Sequence, residues 1–333
     1  LFPYTTLFRS PLTDGTSRHG GLYMLASPYK EFKEALQDFI PKDRIHTDPL
    51  RLLAYGTDAS VYRLIPKIVV DVLDEAEVIQ LVSLADRMRV PVTFRAAGTS
   101  LSGQAVTDSV LVRIGQGWRD WRVGEHAEKI TLQPGIIGSG ANKILAEFGK
   151  KIGPDPASID SCFIGGNVAT NAGGNRAVKY GTTRHQVYAV EVVNPTGKIV
   201  QLGARLQKQT TGYCLEQLII GSEGTLGIIT QITVKLLPLP KYSMDLLAVF
   251  ESPEDAIGTV NKLIMAGIMP TCVEYMDNIT IKSVERYLGT TLQGSDKGNY
   301  LIVEVEGTSE DDLDEKACTM DEICSENGAG DVL

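Results

Sequence analysis

The chain has 333 residues, enough for two ordinary domains, and its 43% hydrophobic and 22% charged residues describe a globular rather than a disordered protein. No run of about 18 apolar residues occurs, so the sequence predicts no membrane-spanning helix. The net charge of −9 is unevenly distributed along the chain. Residues 301–333 carry eleven acidic residues and one basic residue, and the other residues together have a net charge of +1. This balance excludes a basic nucleic-acid-binding surface, and the acidic end is expected to be the solvated face of one helix.

Both ends of the chain are unusual. Residues 1–10 match the translation of a sequencing-adapter oligonucleotide, so we expect them to be non-native, with the natural start between Pro11 and Met24. Residues 11–60 are expected to form a helical lead-in. The chain ends at Leu333 just after a helical pattern, which predicts truncation at that end as well.

Cysteine and histidine spacing bears on metal sites and on the compartment. The five cysteines are scattered without a CxxC pair, and the four histidines lack metal-binding spacing, so we expect neither a disulfide framework nor a metal site within this span. Free cysteines favour a cytoplasmic compartment. A peripheral position at the inner face of the membrane is an open alternative.

Hydrophobic patterning predicts an α/β domain over about residues 61–240. Strand, helix and strand at short spacing form a βαβ unit, and two prolines after the last long strand mark a domain boundary. The predicted elements are a helix over 28–40 capped by Ser27, a strand over 68–72, a helix over 74–88, a strand over 90–94, a hairpin of strands 188–193 and 198–202, and a strand over 226–237.

After Pro240 the pattern predicts a second, smaller α+β domain over residues 241–333. Strands and helices alternate there in short segments, which resembles a ferredoxin-like sandwich that is not completed. The predicted elements are strands over 246–250, 271–276 and 300–305 and helices over 253–266, 278–288 and 310–326.

Glycine is concentrated in residues 95–235, which hold 21 of the 33 glycines. Glycine adopts positive φ and lets backbone approach a ligand closely. This density predicts several loops around one large ligand, and turn-rich β structure is the alternative.

The first glycine cluster, FRAAGTSLSGQ at 94–104, follows a predicted strand. Consecutive N–H groups in such a loop suit phosphate oxygens. The cluster is not a Walker A loop, because Gln104 and Ala105 replace the lysine and the serine or threonine. Neither a nucleophile elbow nor a GxGxxG motif fits it.

Two further clusters follow. The second lies within 153–174 and combines GPDP, Ser158 and two glycine pairs, which suits a backbone wall beside a flat polar ring or a pyrophosphate. The third, GSEGTLGII at 221–229, leads into a long strand. Glu223 within it either accepts a hydrogen bond from a ribose or ring N–H, or lies in water at a turn.

In this order, and with the triplets at 180–182 and 211–213, the clusters resemble the FAD-binding fold of the vanillyl-alcohol-oxidase/p-cresol-methylhydroxylase (PCMH) superfamily. The chain is most similar to FAD-linked D-2-hydroxy-acid dehydrogenases, the D-lactate, D-2-hydroxyglutarate and glycolate dehydrogenase subunits, over about residues 28–333. Its segment 46–66 resembles large members fused to iron–sulfur domains. The resemblance implies an α+β fold, with a PCMH-type FAD-binding domain of two α/β subdomains followed by a partial ferredoxin-like substrate domain.

The resemblance also implies where FAD binds. Loop 97–103 would hold the pyrophosphate, 155–158 and 165–174 would line the isoalloxazine and ribityl chain, and Glu223 and Ile229 would contact the adenosine half. With no histidine in the first two clusters, we expect non-covalent FAD. Arg95 either faces the phosphate or neutralises a carboxylate. The expected cofactor-binding residues are Arg95, Ala97, Gly98, Thr99, Ser100, Leu101, Gly103, Gln104, Pro154, Asp155, Ser158, Gly165, Gly166, Asn167, Ala169, Thr170, Asn171, Gly173, Gly174, Tyr180, Gly181, Glu223, Gly224, Gly227 and Ile229.

The implied activity is oxidation of a small-molecule D-2-hydroxy acid to the 2-oxo acid, with hydride transfer to flavin N5. Electrons would pass to an iron–sulfur centre, a quinone or a cytochrome. The histidine-rich motif of the family does not occur before Leu333, so no catalytic residue is assigned and the chain is expected to lack the base. Two alternatives stay open: an FAD-binding subunit without dehydrogenase activity of its own, and an FAD-dependent reductase of the same superfamily.

Overall fold

The computed structural model describes residues 28–115, 117–204, 206 and 208–333. The segment expected to be non-native and the predicted helix cap Ser27 lie outside these residues. The chain forms two compact units that interleave along the sequence. The first comprises the described residues up to Ile152, Ser158–Ala172 and Gln186–Leu236, and the second comprises Gly153–Ala157, Gly173–His185 and Leu237–Leu333.

The described residues contain the following elements. The helices are α1 (Tyr29–Leu36), α2 (Pro49–Tyr55), α3 (Glu75–Met88), α4 (Gly138–Ala146), α5 (Ile164–Thr170), α6 (Ala177–Tyr180), α7 (Glu216–Ile219), α8 (Pro253–Met265), α9 (Asn278–Leu288) and α10 (Glu310–Glu326). The strands are β1 (Ile45–His46), β2 (Ile68–Val72), β3 (Val92–Arg95), β4 (Val110–Ile114), β5 (Trp121–Val123), β6 (Lys129–Leu132), β7 (Lys150–Lys151), β8 (Val187–Val193), β9 (Ile199–Gly203), β10 (Ile228–Lys235), β11 (Leu237–Pro238), β12 (Tyr242–Phe250), β13 (Cys272–Met276), β14 (Asn299–Gly307) and β15 (Ala329–Val332).

The first unit begins with a four-stranded sheet in the order β1-β2-β4-β3, in which β2, β4 and β3 are parallel. Helix α3 begins where the Asp74 carboxylate accepts a hydrogen bond from the Glu77 amide at 2.9 Å. It buries Val78 and Leu81 in the core of this sheet. The predicted strands and helix are confirmed, but β4, which the sequence did not predict, lies between β2 and β3.

A five-stranded antiparallel sheet, ordered β5-β6-β10-β8-β9, completes the first unit. The predicted hairpin and long strand correspond to β8, β9 and β10. Leu145 of α4 and Val168 of α5 are fully buried in the core of this sheet. The sheet therefore anchors α5, which carries Gly165 and Gly166 of the second glycine cluster.

The second unit contains an antiparallel sheet in the order β13-β14-β12-β15. Helices α9 and α10 have the predicted bounds. After the predicted helix α10, the chain forms β15, a strand that the sequence did not predict. Just beyond it, Leu333 exchanges two backbone hydrogen bonds of 2.9 and 2.8 Å with Leu247. None of the described helices is long and apolar enough to cross a membrane.

Candidate cofactor site

One pocket of about 260 Å³ lies in the first unit and brings the three glycine clusters together. The predicted residues that line it are Ala97, Gly98, Thr99, Ser100, Gln104, Ser158, Gly165, Gly166, Asn167, Ala169, Thr170, Glu223, Gly224, Gly227 and Ile229. Sequence reasoning missed the lining residues Phe94, Ala96, Ala105, Ile114, Pro134, Cys162, Phe163, Ala172 and Ile228. Most of these are apolar or small side chains, which give no chemical signal in a sequence.

The first loop follows β3 and is supported from behind by Arg95. The Arg95 guanidinium donates to the Thr57 carbonyl at 2.7 Å and packs against Gly98, where a Cβ would overlap it. Gly98 has a φ of +74°, which glycine adopts without strain. Burial lowers the pKa of Arg95. Arg95 does not line the pocket, so its role in this structure is to hold the loop in place.

The backbone of this loop offers unpaired donors. Within the described part of the chain, the N–H groups of Ala97–Leu101 donate no hydrogen bond, and all but Leu101 line the pocket. Leu101 is largely exposed to solvent, and Gly103 packs against the ring of Tyr62. Consecutive free amides of this kind bind anionic oxygens.

Glycines in α5 allow this helix to approach the pocket wall closely. A Cβ on Gly165 would overlap Pro134, and a Cβ on Gly166 would lie 3.2 Å from the Cβ of Ala96. The helix ends at Asn171, which has a left-handed φ of +51°. The first and second clusters therefore meet through close packing that larger residues would prevent.

The third loop rests on the C-terminal end of α5. The Gly221 and Glu223 amides donate to the carbonyls of Val168 and Ala169 at 3.0 and 2.8 Å. The hydroxyls of Ser222 and Thr225 are buried and have no hydrogen-bond partner among the described residues. Buried hydroxyls without a partner cost free energy, but neither Ser222 nor Thr225 lines the pocket, where this loop contributes Glu223, Gly224 and Gly227.

Six predicted site residues belong instead to the second unit: Pro154, Asp155, Gly173, Gly174, Tyr180 and Gly181. Arg176 pairs there with Asp155 at 3.5 Å and with Glu304 at 3.2 Å. Gly174 packs so tightly on the Asp155 backbone that a Cβ would overlap its carbonyl. These contacts hold segments 153–157 and 173–185 within the second unit.

The same unit contains a carboxylate shared by two donors. Lys179 pairs with Glu306 at 2.7 Å, and the Tyr180 hydroxyl donates a short hydrogen bond to the same carboxylate. Burial, followed by the contact with Glu306, raises the pKa of Tyr180. Charged groups in this cluster are thus paired with one another.

The pocket suits an anionic dinucleotide that carries flat rings and hydroxyls. Its free loop amides fit a pyrophosphate, its glycine-lined wall admits a ring, and the Glu223 carboxylate accepts from hydroxyls. Within the residues that the structure describes, no three histidine, cysteine, aspartate or glutamate side chains form a group that could hold a metal ion.

Comparison with known proteins identifies two domains in the chain. Residues 66–203 match the FAD binding domain family, and residues 239–333 match the C-terminal domain of FAD linked oxidases. The fold and these two family matches therefore define an FAD-binding protein of α+β architecture with a PCMH-type FAD-binding domain. The chain belongs to the FAD-linked oxidase family.

Two curated relatives illustrate the group. The chain is 36% identical to a D-lactate dehydrogenase of Anaerostipes hadrus over 311 residues, which cover 91% of the chain and 65% of the relative. It is 33% identical to the glycolate oxidase subunit GlcD of Bacillus subtilis over 309 residues, with the same two coverages. The chain thus spans 65% of the length of these relatives, which is less than two thirds.

Solved structures show the same fold. An alkyldihydroxyacetonephosphate synthase matches with a TM-score of 0.74 and 22% identity over 92% of this chain and 60% of its own length. A p-cresol methylhydroxylase matches with a TM-score of 0.75 and 13% identity over 92% of this chain and 65% of its own. The implied α+β fold with a PCMH-type FAD-binding domain is confirmed.

Proposed function

We propose that the chain binds FAD non-covalently in the pocket of the first unit and is part of an enzyme that oxidises a D-2-hydroxy acid, of the D-lactate or D-2-hydroxyglutarate class, to the 2-oxo acid. The main support is the convergence of three glycine clusters on one pocket with free loop amides. Similarity to a D-lactate dehydrogenase and to a glycolate oxidase subunit supports the substrate class.

The pocket residues bind and orient the cofactor. In this proposal the amides of Ala97–Ser100 hold the pyrophosphate, the backbone of α5 forms the wall beside the ring, and Glu223 contacts the adenosine half. Bound FAD would supply the two-electron acceptor for the oxidation. The described residues that line the pocket include no histidine, in keeping with the proposed dissociable cofactor.

The division of labour between domains is also part of the proposal. Residues 61–240 would bind FAD, and residues 241–333 would contribute to the substrate domain. The electrons would pass on to an iron–sulfur centre, a quinone or a cytochrome. Free cysteines among the described residues favour a cytoplasmic enzyme.

A flavin titration tests the first half of the proposal. The purified chain, stripped of flavin, is titrated with FAD while flavin fluorescence is recorded, and saturable quenching is expected. Precipitation in acid should then release all of the flavin into the supernatant. A chain that takes up no FAD contradicts the proposal, and flavin that stays with the precipitate contradicts non-covalent binding.

Anaerobic reduction tests the second half. The FAD-loaded chain is mixed with D-lactate, D-2-hydroxyglutarate or glycolate, and loss of the visible flavin absorption is followed, with L-lactate as the control. Because no catalytic base is assigned within the chain, bleaching should be slow, and it should be selective for a D-acid over L-lactate. Bound FAD that no hydroxy acid reduces would favour the subunit without activity, and bleaching by NADPH alone would favour the reductase.

A further inference from the structure

Three polar side chains form a hydrogen-bonded row along the pocket. The Ser100 hydroxyl donates to Gln104 Oε1, and Gln104 Nε2 donates to Glu223 Oε1 at 2.9 Å. All three residues line the pocket. Among the described residues, the Gln104–Glu223 contact is the hydrogen bond that connects the first loop to the third.

The two hydrogen bonds of Gln104 fix the orientation of its amide. A primary amide has one acceptor atom and one donor atom, and both ends of Gln104 are engaged. The amide therefore presents its N–H to the carboxylate and holds one carboxylate oxygen. The second oxygen, Glu223 Oε2, accepts no hydrogen bond from the described residues.

The backbone of Glu223 adopts a conformation that is strained for a residue with a side chain. Glu223 has a left-handed φ of +56°, which costs a residue with a Cβ about 1–2 kcal/mol. Its amide donates to the Ala169 carbonyl, which holds the residue in place. Glycine would adopt this conformation without strain, so the carboxylate is retained at an energetic cost.

We propose that Gln104 is a positioning residue that directs Glu223 toward the ribose hydroxyls in the adenosine half of a bound dinucleotide. This inference rests on the proposed binding of FAD. A carboxylate only accepts hydrogen bonds and repels phosphate, and an acidic residue near a phosphate-binding glycine loop binds ribose hydroxyls in other dinucleotide sites. Because FMN lacks the adenosine half, the Gln104–Glu223 pair favours FAD over FMN.

Paired titrations test this specificity. Flavin-free wild type, Gln104→Ala and Glu223→Gln are titrated with FAD and with FMN, and flavin fluorescence is recorded. Both variants should weaken FAD binding about tenfold, the size expected for one lost charge-assisted hydrogen bond, and should change FMN binding less than twofold.

A matched control comes from an exposed pair on the β8–β9 hairpin. Gln201 Nε2 donates to Glu191 Oε2 at 2.7 Å outside the pocket, so Gln201→Ala should leave both affinities unchanged. Thermal unfolding of each variant reports whether it folds. Gln104→Asn is a second variant of the same position: it keeps the amide but is one carbon shorter, so it should weaken FAD binding as Gln104→Ala does.

The outcomes separate the inference from the function on which it rests. Unchanged FAD affinity in Gln104→Ala overturns the inference, as does an equal loss of FAD and FMN affinity, since Gln104 would then only shape the loop. A wild type that binds neither flavin overturns the proposed function itself. Selective loss of FAD affinity supports both.

Discussion

The pocket of the first unit and the ion-pair cluster of the second differ in how their polar groups are satisfied. At the pocket, the amides of Ala97–Leu101 have no partner among the described residues. In the cluster, Lys179 and Tyr180 share the Glu306 carboxylate, whose side chain is only 8% exposed. Unpaired amides at the edge of a pocket are available to a ligand, whereas paired buried charges serve the fold. Substitutions in the two regions should therefore have different consequences.

The largest loss of stability is expected from Glu306→Gln. Lys179, whose side chain is 25% exposed, would lose its counter-charge. Removing one member of a buried pair lowers the free energy of unfolding by about 3–5 kcal/mol. Because Lys179 is partly exposed, the expected loss is at the lower end, about 3 kcal/mol. Urea unfolding measures this change.

The control for Glu306→Gln is Asp331→Asn, which breaks an exposed pair with Lys297 in the same unit. Exposed pairs contribute about 0–1 kcal/mol, so this variant should unfold almost as the wild type does. Equal losses in the two variants would show that burial of the Glu306 cluster has no special role in stability.

Gly165→Val should damage the pocket and stability together. Its Cβ would overlap Pro134, and overpacking of this kind costs about 1–3 kcal/mol. Because α5 would have to move, FAD affinity measured by fluorescence should fall as well. Gly258→Ala in α8 is the matched helical control, since open space surrounds its Cβ. Gly258→Ala should raise the free energy of unfolding by about 0.5–1 kcal/mol and leave FAD binding unchanged. Unchanged FAD affinity in Gly165→Val would contradict the close packing of α5.

Local signals explain how much of the fold the sequence could predict. Helices α9 and α10 have the predicted bounds because Asp277 and Ser309 cap them with side-chain hydrogen bonds to the Thr280 and Asp312 amides. The glycine clusters were also local signals, and most of the predicted residues line the pocket. Composition and spacing within one segment were sufficient in these cases.

Non-local pairing explains what the sequence did not show. Strand β15 is four residues long and is defined by its pairing with β12, about eighty residues earlier in the chain. Likewise, Pro134 forms the pocket wall only because Gly165 packs against it. Asp155 and Gly174 belong to the second unit because they contact each other and because Asp155 pairs with Arg176. No motif in the sequence indicates these contacts.

A carboxylate in the second unit allows a pH test of whether paired polar groups stabilise that unit. Glu285 accepts hydrogen bonds from the Ser295 hydroxyl, from the Leu292 amide at 2.7 Å and from Lys282 at 3.0 Å. These contacts, led by the Ser295 hydrogen bond, lower the pKa of Glu285 from 4.5 to about 2.

Since the folded-state pKa lies below the unfolded one, this stabilisation is present above pH 4.5 and is lost as the pH falls toward 2. Thermal unfolding midpoints between these pH values should decrease more steeply for the wild type than for Glu285→Gln, which does not titrate. Parallel curves for the two proteins would show that these contacts do not favour the ionised carboxylate.

The smallest change in stability is expected from Glu223→Gly, at the pocket. Glycine relieves the left-handed backbone, but it also adds entropy to the unfolded chain, so the free energy of unfolding should stay within about 1 kcal/mol of wild type. FAD affinity should nevertheless fall about tenfold.

Arg89→Gly is the control, because Arg89 also has a left-handed φ of +55°, at the end of α3, and its pair with Asp86 is exposed. The two variants should have similar stability, and Arg89→Gly should bind FAD as the wild type does. Equal FAD binding by both would show that Glu223, like Arg89, is tolerated rather than needed in this backbone conformation.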